Sequence, residues 1–484
     1  MRRSALVALL SLFASPAFAE KSELKLLDCT HLMAWTAGGI STRRLQHMVG
    51  ESGIGFTPTE ATIKLLIRVG AQPELVRTLR QAKPTTPASL SICPAKLAQA
   101  GELIRGKDYD SAQAILEPLI AADPHNSSLH FLMGYIHQQQ ENWDRAFDEY
   151  STSRDELPGS SETHGRLAYI FYRYEDADNA IAEARTALSI DPANAEAYRY
   201  LGLGLYAAHK YDAALNAFHE ALAREPKCAE SYYDMAITLR DKHDSNGAVA
   251  AYHLAIALNP QFWEAYNNLG LVLHDLGKLD DAVAAYREAK RLAPEEPSIR
   301  NNLGNTYCDK GDYDSVVAEL RELYRMNPGW ERGHSCLAKA LLAKGELQPA
   351  IAELRLAIQQ NPNGAAEHRV LGQTLLILHQ EEEAVRELRT AVELDPDSPL
   401  AHHFLATALF DARNFQAAET EFRQAVRLQP NASNHYYLAA CLVNLGRYDE
   451  ALAELDTAAA MDPGQTLYRA RKSELEKLIQ AGSR

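Results

Sequence analysis

The stretch AEAYRYLGLGLYAAHKYDAALNAFHEALAREP, residues 195–226, decides the fold. Small residues at Gly202, Ala214 and Ala221 let two helices approach closely, and larger ones such as Leu205 and Phe218 fill the seam between them. The pattern recurs with a period of 34: prolines stand at 124, 158, 192, 226, 260, 294, 328, 362, 396 and 430, and Pro463 falls one residue early. Leu or Met precedes Gly or Ala at ten equivalent sites, among them Met133, Leu167, Leu201, Leu269, Leu303 and Leu405. Gly277, Gly311, Gly345 and Gly446 fall where the first helix of a unit must end in a left-handed residue. Asp110, Asp144, Asp178, Asp212, Asn246, Asp280, Asp314 and Asp449 share one site, which the spacing assigns to the N-cap of the second helix. The unit is helix–turn–helix, no strand signal competes with it, and the expected fold class is all-α.

This pattern resembles the tetratricopeptide repeat family. Tyr198, Leu201, Gly202, Leu205, Ala214, Phe218, Ala221 and Pro226 stand at the family's positions, and the resemblance covers eleven units over residues 93–465. It implies a right-handed α-solenoid of tandem helix-turn-helix repeats. The seventh unit departs from it with Val316, Leu320 and Leu323, and the first carries Pro118 inside its second helix. Residues 466–484 read as a capping helix and tail, with Leu467, Leu475, Leu478 and Ile479 as the apolar face.

Residues 20–82 lack that period and read as a small helical domain of two helix-turn-helix halves. Leu32, Trp35, Gly39, Ile40, Leu45 and Met48 correspond to Ile63, Leu66, Gly70, Ala71, Val76 and Leu79 at an offset of 31. Thr57-Pro58-Thr59-Glu60 reads as a capping box with proline at the first helical position. Residues 83–92, in a stretch rich in Pro, Thr and Ser, read as a linker.

The chain has 484 residues, 46% hydrophobic and 23% charged, a composition that excludes disordered and collagen-like classes. Its formal charge is −15 and no basic tract offsets it, so neither nucleic acid nor anionic lipid is an expected partner. Arg2 and Arg3 precede an apolar run from Ala5 to Phe13, and Ala17-Phe18-Ala19 follows. Residues 1–19 therefore read as a cleavable signal peptide cut after Ala19, and the product as periplasmic or secreted. The run is shorter than the roughly 20 residues a span requires, so no membrane insertion of the mature chain is expected.

Gly202-Leu203-Gly204 begins like a dinucleotide fingerprint, but it lies inside a helix whose amides are already used. His130, His164, His334, His368, His402 and His435 share the fourth position of their units, where three other units have Tyr198, Tyr232 and Tyr266. Equivalent residues on neighbouring packed helices stand roughly 8–10 Å apart, too far to share a zinc ion, so packing at an aromatic-type site is the expectation. No catalytic residue, cofactor or metal is expected. Six cysteines in an exported chain allow several pairings. Cys29 with Cys93 would staple the N-terminal domain to the first repeat, and Cys308 with Cys336 is a second candidate; Cys441 reads as a packed apolar residue.

In the family resembled here, the first helices line a concave groove that holds an extended peptide. The corresponding positions are Arg199, Tyr233, Arg240, Asn267, Asn268, Asn301, Asn302 and Asn305, the asparagines resembling part of the ladder in O-linked N-acetylglucosamine transferases. Asn donates to and accepts from a peptide backbone whatever its side chains. These side chains are expected to face solvent in the free protein. Glu162, Glu196, Glu230 and Glu264 would add a negative edge favouring a basic or neutral ligand. A solvated polar face without ligand is the competing reading. The sequence thus points to a non-enzymatic protein- or peptide-binding scaffold of the bacterial cell envelope. The alternative is an accessory subunit of a glycan-modifying or protein-maturation complex with its catalytic part on another chain.

Overall fold

A computed structural model describes residues 27–84 and 93–482. The signal-peptide reading of 1–19 and all of the linker beyond Pro84 lie outside the described residues. Within them the chain is all-α, with 27 helices and only the isolated bridges Leu27–Ile54 and Ile54–Pro84 as extended pairing. None of the helices is long and apolar enough to cross a membrane. The chain divides into two compact units, one ending at Ala265 and the other beginning at Tyr266.

The first unit opens with α1 (Cys29–Ala37), α2 (Thr42–Ser52), α3 (Glu60–Val69) and α4 (Pro73–Gln81). Gly39 and Gly70 take positive φ, 79° and 116°, in the turns after α1 and α3. Thr59 caps α3 by accepting from the Thr62 amide, so the helix starts two residues later than the capping-box reading and Pro58 stays outside it. Leu32, Trp35, Ile63 and Leu66 are buried in one continuous core with Leu97, Phe131 and Tyr150. The N-terminal module and the first repeats thus share one interior, and a Cys29–Cys93 disulfide ties them covalently.

Paired helices follow. First helices in this unit are α5 (Ala95–Arg105), α7 (Ser127–Gln139), α9 (Ser161–Arg173), α11 (Ala195–Ala207) and α13 (Ala229–Asp241). Second helices alternate with them: α6 (Tyr109–Ala122), α8 (Trp143–Glu156), α10 (Ala177–Ile190), α12 (Tyr211–Arg224) and α14 (Ser245–Leu258). The helix α15 (Trp263–Asp275) contains the boundary. The second unit continues with α16 (Leu279–Leu292) to α26 (Tyr448–Met461), including the first helices α17 (Pro297–Lys310), α19 (His334–Ala343) and α25 (Ala432–Asn444), and closes with α27 (Thr466–Gly482).

Close approach within a pair rests on the small residue of the first helix. A Cβ built on Gly202 would stand 2.5 Å from the Phe218 ring. In the seventh repeat Leu320 takes the ring's place against Gly304. The turn then needs one left-handed residue, glycine at 277, 311, 345 and 446, but Lys107, Glu141, Glu175, His209, His243, His379 and Arg413 accept the same φ of 56° to 66°.

The aspartates assigned to the N-cap lie inside the first turn instead. Capping is done two residues earlier by Asp108, Asn142, Asp176, Asp244 and Asp312, whose side chains accept from the amide three residues on. A carboxylate in the first turn still meets the positive end of the helix dipole. It also reaches the next repeat: Asp110 accepts from Gln140, Asp144 from Tyr174, Asp212 from Lys242, Asp280 from Lys310 and Asp314 from Lys344. The capping-helix face differs from expectation too. Leu467 and Leu478 are exposed, and Tyr468, Leu475 and Ile479, spaced at four and seven residues in register with the helical turn, pack inward.

Candidate functional site

In the first unit the first helices present their polar residues beside the N-terminal module. Helix α9 starts at Ser161 because Ser160 caps the Thr163 amide, which places Glu162 in the first turn at 1% exposure. Arg44 from α2 meets it. Its Nε and Nη2 donate to one Glu162 oxygen at 2.9 and 2.6 Å, and its Nη1 donates to Asp191 at 2.5 Å. Burial opposes the charge on Arg44, but the two carboxylates outweigh it and raise the guanidinium's pKa. Asp191 is correspondingly held below the usual carboxylate range, the Arg44 charge outweighing the effect of burial. Beside this cluster Ser41 donates to Glu225 at 3.0 Å, and Arg166 donates to the Gly38 carbonyl at 3.0 Å while pairing with Glu196 at 3.3 Å. The negative edge read from the sequence is therefore already answered at Glu162 and Glu196 by cations of the same chain.

Between α2 and the helices α9, α11 and α13 lies a cavity of about 670 Å³. Arg43 and His47 line it from the module; Glu162, Arg166, Tyr169 and Arg199 line it from the repeats. Arg199 donates to the buried Asp234 at 2.6 Å; burial works against its charge, and Asp234 keeps the guanidinium protonated. The rim cations Arg43 and Lys227 are exposed. Opposite charges that are mostly paired, with tyrosine rings between them, suit a polar chain that offers both hydrogen-bond donors and acceptors.

The other sequence-derived groove residues scatter more. Tyr233 on α13 packs its ring 4.7 Å from Phe262 and 6.0 Å from Tyr252, and Arg240 donates to its neighbour Asp241. In the second unit Asn302 donates to Asn267 at 3.1 Å, linking α17 to the α15 residues of that unit. Asn268 and Asn305 are half-buried. Asn301 does not face solvent: it is 6% exposed, and its side-chain oxygen is buried without a hydrogen-bond donor.

The histidine column is a polar network, and at His334 aromatic packing joins it, the ring stacking 4.6 Å from that of Tyr324. Nδ1 of His130, His164, His334, His368, His402 and His435 lies 2.5–2.7 Å from a glutamate nineteen residues on, in the second helix of the same repeat. Nε2 of four of them also meets the carbonyl of the proline six residues earlier. Arg300 holds the same position in its repeat and pairs with Glu319, again nineteen residues on. Where the fourth position is Tyr198, Tyr232 or Tyr266, the matching residue is Ala217, Ala251 or Ala285. This basic–acidic against tyrosine–alanine alternation is visible in the sequence and identifies the network. In the fourth repeat Arg224 reaches the Pro192 carbonyl at 2.8 Å and stacks 4.1 Å over Tyr198.

A tetratricopeptide repeat family model matches residues 97–161, 201–234, 233–297, 369–432 and 403–466. No curated relative matches the sequence. Similar solved structures include Pseudomonas aeruginosa pilF, 18% identical over 42% of this chain and 93% of that one, with a TM-score of 0.38. YrrB, described as a repeat protein with an unusual peptide-binding site, is 22% identical over 40% and 97%, with a TM-score of 0.32. Yeast Tom70 is 15% identical over 80% and 94%, with a TM-score of 0.31.

Proposed function

The chain belongs to the tetratricopeptide repeat family, and from that premise we propose that it is a non-enzymatic adaptor of the bacterial cell envelope that holds a segment of a partner protein. The observation that carries this reading is the cavity of about 670 Å³ between α2 and the first helices α9, α11 and α13. Its walls offer carboxylates, guanidinium groups and tyrosines, a set that matches the alternating donors and acceptors of a polypeptide backbone. On this reading Tyr169 and Arg199 meet the ligand in the first unit. Asn267, Asn302 and Asn305 offer a second polar stretch in the other unit. Export is supported by the signal-like residues 1–19 and by the Cys29–Cys93 disulfide, since such bonds persist mainly in oxidising compartments.

The test is affinity capture from a periplasmic extract with the wild type and with Arg43→Glu/Lys227→Glu, which reverses two exposed rim charges. A protein recovered by the wild type and lost by the variant supports the cavity as the site. Equal recovery by both, with both proteins folded, contradicts it.

A further inference from the structure

Beside the cavity, α9 carries a strip of aromatic side chains whose polar tips are unused. Tyr169 lines the cavity, and Tyr172 lies about one turn further along the same helix. The Tyr169 ring stands 6.2 Å from that of Tyr172, 6.1 Å from the Trp143 indole at the start of α8, and 5.2 Å from Tyr200 on α11. Trp143, Tyr169 and Tyr172 are each partly exposed. The exposed Arg173 lays its guanidinium 4.6 Å over the Trp143 ring and extends the strip. The Tyr169 and Tyr172 hydroxyls and the Trp143 indole N–H meet no hydrogen-bond partner among the described residues, and they are not enclosed in the core. Acceptors flanking the strip are taken: Asp144 accepts from the Tyr174 hydroxyl at 2.8 Å, Glu196 from the Tyr200 hydroxyl at 2.8 Å, and Asp234 from Arg199 at 2.6 Å. The strip therefore presents donors set between aromatic faces.

We propose, resting on the reading of the cavity as a polypeptide site, that the partner segment running from the cavity along α9 is proline-rich and docks on this strip as a polyproline II helix. Such a helix has no internal hydrogen bonds and keeps its carbonyls free for outside donors. Proline has no N–H, so a run of prolines brings acceptors and no donors. On the strip the indole N–H is donor only, and the two phenols and Arg173 donate as well. The compact pyrrolidine rings pack on the aromatic faces, as proline-rich segments do in aromatic-lined grooves. The segment is already rigid when free, so docking costs little chain entropy. A glycan, another polymer that stacks on aromatic rings, is the poorer match. Its hydroxyls donate as well as accept, and the flanking acceptors are occupied by Tyr174, Tyr200 and Arg199.

The experiment titrates the full-length protein by calorimetry with an N-acetylated, C-amidated decaproline, a glycine–serine peptide of the same length, and a chito-oligosaccharide. Decaproline should bind, and the other two should not. Tyr169→Phe/Tyr172→Phe removes two donors and keeps both rings, so circular dichroism should be unchanged while affinity for decaproline falls roughly ten-fold, as the loss of two ordinary hydrogen bonds implies. Trp143→Phe, which removes the indole N–H, should weaken binding as well. Arg43→Glu/Lys227→Glu should leave it unchanged, because the peptide carries no charge. Absence of decaproline binding at millimolar concentration overturns the proposal, as does equal binding by the wild type and the double Phe variant, or preference for the oligosaccharide. Loss of decaproline binding in Arg43→Glu/Lys227→Glu would place the peptide at the cavity rim and overturns it too. The cavity reading fails separately: it falls when that charge-reversed variant still captures the partner from the extract, whatever decaproline does.

Discussion

At the scale of single residues, the turn between paired helices shows how a repeat position constrains side chains. Seven non-glycine residues carry positive φ there, an arrangement that costs roughly 1–2 kcal/mol for an L-residue. Glu141→Gly should therefore stabilise the protein by about 1 kcal/mol, the strain relief being partly offset by glycine's greater chain entropy. Denaturant unfolding of both proteins checks this, and a destabilised Gly variant would contradict it. His130 gives a pH prediction. The hydrogen bond to Glu149 and the Pro124 carbonyl raise its pKa against the effect of burial. A raised folded-state value means its stabilisation is complete below the ordinary histidine value of about 6.5 and is lost as pH rises through the folded value. The stability gap between wild type and His130→Gln should thus be wider at pH 5.5 than at pH 8.5. A gap independent of pH would show that the imidazolium form contributes nothing.

At the scale of elements, the contact between first and second helices was legible in the sequence because it depends on residues a fixed few positions apart. Gly202 faces Phe218 at sixteen residues' separation, and the period reports such pairs directly. Gly202→Ala should cost roughly 1–3 kcal/mol, since the added methyl would overlap the fully buried Phe218 ring and force it to shift. Leu269→Ala, at a buried seam position, should cost roughly 2–5 kcal/mol through the cavity it leaves. Thermal unfolding of each variant measures both, and a neutral result at Gly202 would mean that the helices separate freely. The docking of α2 was not legible. Arg44 and Glu162 are 118 residues apart, and no periodicity joins them. The solvent-facing expectation for Asn301 failed for a related reason: its burial depends on how the neighbouring segment folds over it, as the close approach of its side-chain oxygen to Gly333 shows. The glutamate partners of the histidines, by contrast, were readable from their constant spacing, once position four is compared with the residue nineteen further on. Arg44→Ala should destabilise the first unit by roughly 3–5 kcal/mol, because Glu162 would be left buried without its cation. Arg44→Lys keeps the charge but loses the two-nitrogen fork, and should recover only part of that loss.

At the scale of the whole molecule, stability is built from repeats that touch mainly their neighbours. Deleting residues 229–262, one complete repeat, should leave a soluble helical protein; loss of most helix by circular dichroism would contradict this nearest-neighbour picture. The N-terminal module is the exception to modularity, because its core is continuous with the first repeats and a disulfide closes the join. It adds a wall to part of a repeat surface and makes a cavity there, and the central claim is that a partner's polypeptide enters it. Site-specific photo-crosslinking tests this most directly, with the photoreactive group placed at Tyr169, which lines the cavity, and separately at Leu254, which is exposed on a second helix. In periplasmic extract, residue 169 should give a discrete crosslinked protein and residue 254 none. Crosslinks from 254 with none from 169 would contradict the account.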